Sequence, residues 1–258
     1  MAYQTLLFEP GRITRITLNR PDAANGLDDA LCAELADAAR RCADPDVKVV
    51  LLTGTGRFFC AGGDLKAMAS SPLGPSAFVK GIADDLHAAL KAFAQMDAVL
   101  ITAVNGAAAG AGFSLAVTGD LVLAAESASF TMAYTRAGLS PDGGASYLLP
   151  RLVGLRRAQE LILTNRRLSA AQGLDWGMVT EVVADAELAD RADALAEAVA
   201  AGSGAAQGSV RRLLAAAAHN DYATQLDLES TLIAENAASA DGREGIAAFV
   251  GKRAPLFG

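Results

Sequence analysis

Three nearly uninterrupted apolar runs constrain the fold of this chain more than any other feature. They occupy residues 47–53, 99–104 and 120–125 and consist mostly of Val, Leu, Ile and Ala. Strands that are covered on both faces have this character, whereas strands with one solvated face alternate apolar and polar residues. Helical patterns separate the runs, and strands that alternate with helices form parallel sheets with right-handed crossovers. The sequence therefore predicts an α/β fold.

The rest of the chain begins with a β-hairpin around a Glu-Pro-Gly-Arg turn and becomes helical towards its end. Residues 54–63 are predicted as a loop, and Ser76 as the N-cap of the helix that follows. The further predicted strands are 5–8, 13–18, 129–132 and 179–183. The predicted helices are 27–42, 76–96, 155–163, 169–176, 186–201, 207–218, 222–239 and 243–253.

Chain length and the distribution of strands favour one continuous domain. A chain of 258 residues with 52% hydrophobic residues can bury a substantial core. The last third is almost entirely helical and has no sheet of its own, which indicates a cap or an assembly surface. We expect an α/β core at 1–195 and a helical C-terminal oligomerisation region at 196–258.

Charge and cysteine content exclude several classes of function. Lys and Arg number 22 against 29 Asp and Glu, a net charge of −7, whereas nucleic-acid binders need a basic surface. The three cysteines form no CxxC pair, so neither a disulfide framework nor a zinc site is expected. The uncharged stretch 98–119 is too rich in Ala, Gly, Ser and Thr for a membrane span, and residues 1–9 lack a signal-peptide pattern. A cytoplasmic protein without a metal is expected.

Two glycine-rich turns follow predicted strands. They read Phe-Phe-Cys-Ala-Gly-Gly-Asp-Leu at 58–65 and Asn-Gly-Ala-Ala-Ala-Gly-Ala-Gly at 105–112. Parallel strands end at the sheet edge where α/β proteins bind ligands. Two such turns side by side could direct two backbone N–H groups at one oxygen, as an oxyanion hole does. Taken singly, each turn is better explained by tight packing alone.

Five segments together resemble the crotonase, or enoyl-CoA hydratase/isomerase, superfamily over nearly the whole chain. Their order and spacing carry the resemblance, because no single segment is specific. The segments are Ile-Thr-Leu-Asn-Arg-Pro at 16–21, the turn at 59–65, Ala-Val-Asn-Gly at 103–106 continuing to 120, Gly-Leu-Ser-Pro-Asp-Gly-Gly at 138–144 and Ala-Phe-Val-Gly-Lys-Arg at 248–253. The resemblance implies a crotonase-like spiral of ββα units with a helical C-terminal region, assembled as a homotrimer or a dimer of trimers.

The resemblance also implies an acyl-CoA thioester substrate and where it binds. The N–H groups of Gly63 and Ala111 would hold the thioester oxygen while an enolate forms, and coenzyme A would enter as part of the substrate, with no other cofactor. Phe249 and Lys252 would reach the site of a neighbouring subunit. The expected substrate-binding residues are Ala61, Gly62, Asp64, Leu65, Lys66, Gly110, Ser114, Tyr134, Leu139, Phe249 and Lys252.

The chain departs from the hydratase members at the two positions where they carry glutamates. Ser114 and Tyr134 stand there, and hydration needs one group to activate water and another to supply the α-proton. Asp142 remains, and members with Asp at this place are similar to double-bond isomerases, including those acting on ring-epoxide phenylacetyl-CoA. We therefore expect isomerisation with Asp142 as the acid and base. From the local sequence alone, Asp142 is more typical of a turn or an N-cap before 143–149.

Several alternative functions stay open at this point. The chain could be a hydratase of low activity or a crotonase-like protein that binds acyl-CoA or a partner protein without turnover, and Asp142 could act as a nucleophile. Gly-Phe-Ser-Leu-Ala at 112–116 is one residue from a serine-hydrolase elbow, with His219 as its partner. Gly-Ala-Gly at 110–112 weakly resembles the turn of a dinucleotide-binding dehydrogenase.

Other polar residues are assigned structural roles. His87 and His219 lie in Ala-rich helical stretches and are not expected to act as bases. Asp64 fits a helix N-cap better than a catalytic acid. Cys60 lies beside the first glycine-rich turn but has no partner that would activate its thiol.

Overall fold

The computed structural model describes residues 3–258, so the first two residues of the predicted core, which also begin the segment considered as a signal peptide, lie outside the described residues. Ten strands and eleven α-helices make up this part of the chain. The strands are β1 (Leu6–Glu9), β2 (Ile13–Leu18), β3 (Val49–Gly54), β4 (Phe58–Cys60), β5 (Val99–Val104), β6 (Ala107–Ala109), β7 (Leu121–Ala125), β8 (Ser129–Thr131), β9 (Leu168–Ser169) and β10 (Glu181–Val183). The helices are α1 (Asp29–Arg41), α2 (Leu65–Ser70), α3 (Gly74–Gln95), α4 (Ala111–Ala116), α5 (Ala145–Val153), α6 (Leu155–Thr164), α7 (Ala170–Asp175), α8 (Leu188–Ala200), α9 (Gly204–Ala217), α10 (Tyr222–Ala238) and α11 (Ala240–Val250).

The larger of two sheets contains the three apolar runs as neighbouring strands. Its order is β1-β2-β3-β5-β7-β10; β1 and β2 are antiparallel, and the other neighbouring pairs are parallel. β5 is buried along its whole length and β3 over its first four residues, which explains why neither alternates apolar and polar residues. The α/β prediction, the hairpin and the three central strands are confirmed.

The smaller sheet has the order β4-β6-β8-β9 and consists of strands of two or three residues. β4 lies within 54–63, which we predicted as a loop, and β6 lies within the second glycine-rich turn, so the loop prediction was wrong at 58–60 and the turn prediction at 107–109. Strands this short carry no periodic signal, so pairing with distant residues defines them. In each of the pairs β3–β4, β5–β6 and β7–β8, the first strand belongs to the larger sheet and the second to the smaller sheet. A helix follows each pair, so that the chain forms successive ββα units.

The longest helix, α3, packs against α1 and forms one wall of the cavity described below. It begins at Gly74, after Leu73, with no side-chain cap. The prediction of Ser76 as its N-cap was therefore wrong. Pro75 stands in the first turn, where a missing N–H leaves no helical hydrogen bond unmade.

The predicted C-terminal region, 196–258, contains the last turn of α8 and the helices α9, α10 and α11, which confirms that it is helical. Arg211 on α9 fixes this region to the core. Its guanidinium donates to the Asp120 carboxylate at 2.7 Å and to the carbonyl of Phe93 at 2.7 Å, and it also donates to the carbonyl of Met96. Large apolar side chains stay exposed on these helices and after them, among them Leu214, Tyr222, Ile233, Ile246, Phe249, Val250 and Leu256. The oligomerisation role of the region stays a prediction.

The three cysteines are buried and form no disulfide. Burial raises the pKa of the Cys42 and Cys60 thiols to about 12. None of the helices between residues 3 and 258 combines the length and hydropathy that a bilayer crossing requires. Over the same residues, no group of three or more His, Cys, Asp or Glu side chains is placed to hold a metal ion.

Candidate active site

A cavity of about 580 Å³ lies where the two glycine-rich turns meet α3 and the segment before α5. Most of its wall is apolar, and its charged residues are Lys80 and Asp142. Lys80 is paired with Asp84 at 2.6 Å. The predicted site residues that line it are Ala61, Gly63, Leu65, Gly110, Ala111, Tyr134, Leu139 and Asp142. A cavity of this size and character accommodates a small-molecule ligand.

The two turns approach each other so closely that only glycine fits between them. Gly62 has a φ of +89°, and a Cβ there would lie 2.6 Å from the carbonyl oxygen of Ala109 and 3.2 Å from the amide nitrogen of Ala111. Gly110, which connects β6 to α4, also has a positive φ, +52°. Residues that carry a side chain rarely adopt such a backbone conformation. The turns therefore lie side by side and depend on these two glycines.

Each turn leaves one backbone amide without a partner. In the first turn, the N–H of Leu27 donates to the carbonyl of Gly62 at 2.8 Å, and the N–H of Asp64 donates to the carbonyl of Leu27 at 2.9 Å. Gly63 lies between Gly62 and Asp64 in the chain, and its N–H has no acceptor among residues 3–258. The N–H of Ala111, at the start of α4, also has none among these residues. Both residues line the cavity. Two unbonded amides at one cavity wall are suited to holding a developing oxyanion.

The carboxylate of Asp142 is held at one of its two oxygens. The hydroxyl of Tyr134 donates to Oδ1 at 2.5 Å. Ser114 Oγ donates to the backbone carbonyl of Asp142 at 2.9 Å and lies 3.1 Å from the hydroxyl oxygen of Tyr134. Oδ2 makes no hydrogen bond within the described part of the chain and is therefore the oxygen that is free to exchange a proton.

Tyr134 and Ser114 fix the position of Asp142 through these hydrogen bonds. Ser114 is fully buried. Burial raises the pKa of Tyr134 well above its usual value, and the adjacent charge of Asp142 raises it further, so the phenol stays protonated and donates. The residue before α5 is Gly144, and no side chain caps this helix. The N-cap alternative for Asp142 was therefore wrong.

His87 is a site residue that sequence reasoning missed. α3 brings its Nε2 within 3.6 Å of Oδ2 of Asp142, and the N–H of Gly143 donates to the same Nε2 at 3.2 Å. Ala83, one turn earlier on α3, lines the cavity, and residues four apart on a helix share a face. That spacing was the available signal, but it becomes informative only once α3 is known to face Asp142.

Six predicted site residues do not line the cavity. Gly62 and Ser114 lie directly behind its wall, as described above, and the other four are Asp64, Lys66, Phe249 and Lys252. Asp64 caps α2, accepting from the N–H groups of Lys66 and Ala67 at 3.1 Å each, which confirms the N-cap prediction. The side chain of Lys66 does not line the cavity, and neither do Phe249 and Lys252, which are exposed in the C-terminal region. A contribution of Phe249 or Lys252 to substrate binding would require a neighbouring subunit.

Ser114 is not arranged as the nucleophile of a hydrolase. Its hydrogen bonds lead to Tyr134, Asp142 and the carbonyl of Gly110. His219, the partner expected for a hydrolase, contacts the hydroxyl of Tyr147 instead, at 3.0 Å. The serine-hydrolase alternative was therefore wrong.

Fold and site together define the class of protein. Repeated ββα units bring two free amides and one carboxylate to a common cavity, an arrangement suited to an enzyme that stabilises charge on a carbonyl oxygen beside a proton-transfer group.

Comparison with known proteins identifies the family. The family model described as enoyl-CoA hydratase/isomerase matches residues 9–258. The chain is 42% identical to the 1,2-epoxyphenylacetyl-CoA isomerase of Escherichia coli, over 96% of this chain and 95% of that protein. It is 38% identical to a probable enoyl-CoA hydratase of Rhodobacter capsulatus, over 100% and 99%. The crystal structure of an enoyl-CoA hydratase from Bacillus anthracis matches with a TM-score of 0.92 at 32% identity, over 98% and 99%.

The chain belongs to the enoyl-CoA hydratase/isomerase family and has the crotonase fold. Members of this family are enzymes that act on acyl-CoA thioesters. The resemblance stated from the sequence is therefore confirmed, and the dinucleotide-binding alternative was wrong.

Proposed function

We propose that this protein is an acyl-CoA double-bond isomerase that converts 3-enoyl-CoA thioesters into conjugated 2-enoyl-CoA thioesters. One observation carries the proposal: Gly63, Ala111 and Asp142 line the same cavity, and Asp142 is the sole carboxyl side chain among the described residues of its wall. Moving a proton between two carbons of one substrate requires a single acid–base group and a place for the charge.

Each step of the reaction assigns a role to one of these groups. With the thioester oxygen at the two amides, Oδ2 of Asp142 takes a proton from C2, and the electron pair of the C2–H bond enters a dienolate whose charge lies on the thioester oxygen. The carboxylic acid of Asp142 then returns its proton to C4. The double bond moves from C3–C4 to C2–C3, and the carboxylate is restored. Loss of one amide donor in such a site costs about 2.7–4 kcal/mol of transition-state stabilisation.

The site is poorly equipped for hydration. Adding water to a conjugated thioester requires a group that activates water as well as one that supplies a proton. Tyr134 is committed to donating to Asp142, and Ser114 is fully buried. We therefore expect at most slow hydration of 2-enoyl-CoA thioesters.

A ring epoxide of phenylacetyl-CoA is a second candidate substrate. The relative in Escherichia coli that is 42% identical is named 1,2-epoxyphenylacetyl-CoA isomerase. Ala133 and Ala137, whose side chains are single methyl groups, line the cavity beside Tyr134. Rearranging such an epoxide is also an isomerisation without net gain or loss of atoms. Coenzyme A as part of the substrate is the only group that either reaction requires.

A panel of 3-enoyl-CoA thioesters, with the epoxide included, tests the proposal. Formation of a conjugated 2-enoyl-CoA is followed by its ultraviolet absorbance, and conversion of the epoxide by chromatography of its CoA ester. The wild type is expected to convert at least one ester. Asp142→Asn and Asp142→Ala are expected to lose about 10²–10⁴-fold in kcat while binding the CoA ester as the wild type does.

Asp46→Asn provides a matched control, since Asp46 is an exposed carboxylate in the loop before β3 that does not line the cavity. It is expected to keep the wild-type rate. Equal rates for the wild type and both Asp142 variants would exclude Asp142 as the acid and base. Binding without turnover of any ester would favour the non-catalytic alternative, and an acyl-enzyme ester at Asp142 would favour the nucleophile.

We also propose that the C-terminal region mediates assembly into a homotrimer or a dimer of trimers. Phe249 and Val250 are 86% and 77% exposed on α11, and apolar surface of this kind is characteristic of protein contacts. Phe249 and Lys252 would then contribute to a neighbouring cavity. Light scattering of the wild type and of Phe249→Asp tests this, because a monomeric wild type would contradict it.

A further inference from the structure

We propose that His87 is a positioning residue for Asp142. By accepting the N–H of Gly143, it fixes the peptide that follows Asp142 and thereby keeps Oδ2 directed to the substrate. The inference rests on the proposed function, because it concerns the same proton transfer.

The hydrogen bonds around Asp142 show what His87 contributes. The carbonyl of Asp142 and the N–H of Gly143 belong to one peptide plane. Ser114 Oγ donates to its carbonyl at 2.9 Å, and the N–H at its other end donates to Nε2 of His87 at 3.2 Å. A peptide that is held at both ends cannot rotate, so the backbone that orients the Asp142 side chain is fixed. Tyr134 holds Oδ1 of the same residue.

The hydrogen bond from Gly143 also selects a tautomer of the imidazole. Because Nε2 accepts from Gly143, the proton of the neutral ring lies on Nδ1. Nε2 lies 3.6 Å from Oδ2 of Asp142, beyond hydrogen-bond distance. His87 therefore leaves Oδ2 free for the substrate while it holds the adjacent backbone.

His87 acts through Gly143 and not on the substrate directly. Within residues 3–258, the cavity wall includes Ala83 of α3 but not His87, whose side chain is 38% exposed. Gly143 has little room to move if the hydrogen bond to His87 is lost. Its φ is +60°, and a Cβ there would lie 2.8 Å from Cβ of Ser114, so the loop is confined on its other side.

Two amide variants isolate the hydrogen bond. In His87→Gln the side-chain oxygen stands about where Nε2 stands and can accept from Gly143, whereas in His87→Asn the same amide is one methylene shorter and cannot reach. Both are polar replacements at a half-exposed site, so thermal midpoints close to that of the wild type are expected. Misplacement of a catalytic group by about 1 Å costs on the order of 10²-fold.

We expect His87→Asn to lower kcat roughly 10–100-fold with KM within about threefold, and His87→Gln to stay within about threefold of the wild type. Hydrogen–deuterium exchange of the Gly143 amide is expected to be slow in the wild type and in the Gln variant and fast in the Asn variant. His219→Asn, which changes the other histidine, is expected to alter neither measurement.

The outcomes separate this inference from the proposed function. Equal kcat in the Gln and Asn variants, or equal exchange of the Gly143 amide in both, would overturn the role of His87. A wild type that isomerises no ester but protects Gly143 from exchange in the same His87-dependent way would overturn the proposed function, and the hydrogen bond would stand.

Discussion

The hydroxyl of Tyr134 donates a hydrogen bond of 2.5 Å to Oδ1 of Asp142. A hydrogen bond to an ionised acceptor is stronger than one between neutral groups, and it leaves Oδ2 without a hydrogen bond among residues 3–258. A second carboxylate beside Asp142 would repel it, whereas a phenol that burial keeps protonated orients it.

Replacement of Tyr134 by Phe is expected to slow isomerisation and spare binding. Hydrogen bonds to charged groups contribute about 1.5–3 kcal/mol, so kcat should fall roughly 10–100-fold while the Kd for a CoA ester stays within about twofold. Stopped-flow rates and calorimetric titration measure the two quantities. Tyr147→Phe removes a hydroxyl outside the cavity and is the control. A Tyr134→Phe variant with wild-type kcat would show that Asp142 needs no orienting donor.

Gly62→Ala is expected to destabilise the fold and reduce activity. The left-handed φ of +89° disfavours a side chain, and the new Cβ would lie 2.6 Å from the carbonyl oxygen of Ala109. The cost is roughly 1–3 kcal/mol, and the displaced turn would move the Gly63 amide. Gly81→Ala is the matched control, because a Cβ on α3 at that position meets nothing within 4 Å. It should add about 0.5–1 kcal/mol of helix stability. Equal urea midpoints for the two variants would contradict this.

The attachment of α9 to the core is expected to depend on Arg211. Its guanidinium pairs with Asp120 at 2.7 Å, and burial raises the pKa of Asp120 although Arg211 opposes the shift. Arg211→Met would leave the carboxylate without its partner and should lower the free energy of unfolding by roughly 2–3 kcal/mol. Adding Asp120→Asn should restore part of the loss, because the unpaired charge is removed. Denaturant curves of the two single variants and the double variant measure this coupling, and strictly additive losses would disprove it.

Stability is expected to fall at alkaline pH because of the buried thiols. Burial raises the pKa of Cys42 and Cys60 to about 12 from the usual 9.0. Between these values the folded chain binds more protons than the unfolded chain, so the free energy of unfolding decreases as pH rises from about 9 to 12. Urea midpoints from pH 8 to 11 measure the effect, and Cys42→Ala should weaken it. A midpoint that is flat over this range in the wild type would contradict the prediction.

The same burial makes the thiols unreactive in the native protein. A thiol reagent at pH 8 should label the three cysteines in denaturant and label them far more slowly in the folded chain, because the thiolate is the nucleophile. Rapid native labelling of Cys60 would indicate that the first glycine-rich turn opens on the timescale of the assay.

The sequence by itself determined the larger sheet and the helices that cover it. Residues 49–52 and 99–104 are buried apolar strands whose signal is local and repeated along the chain. It also predicted Gly63, Ala111 and Asp142 as one site, through motifs whose order along the chain resembles a known family. Their roles as oxyanion donors and as acid and base stay predictions, although the fold brings all three to one cavity.

The tertiary structure alone decided the smaller sheet and the surroundings of Asp142. β4 and β6 are too short to show a period, so pairing across about fifty residues defines them. His87 stands 56 residues before Gly143 in an alanine-rich helix, and nothing in its local sequence distinguishes it from a surface histidine. Local patterns report which face of an element is buried, but which two elements meet is set by packing of the whole chain. For that reason a contact between α3 and the loop at Asp142 could be seen only in the fold.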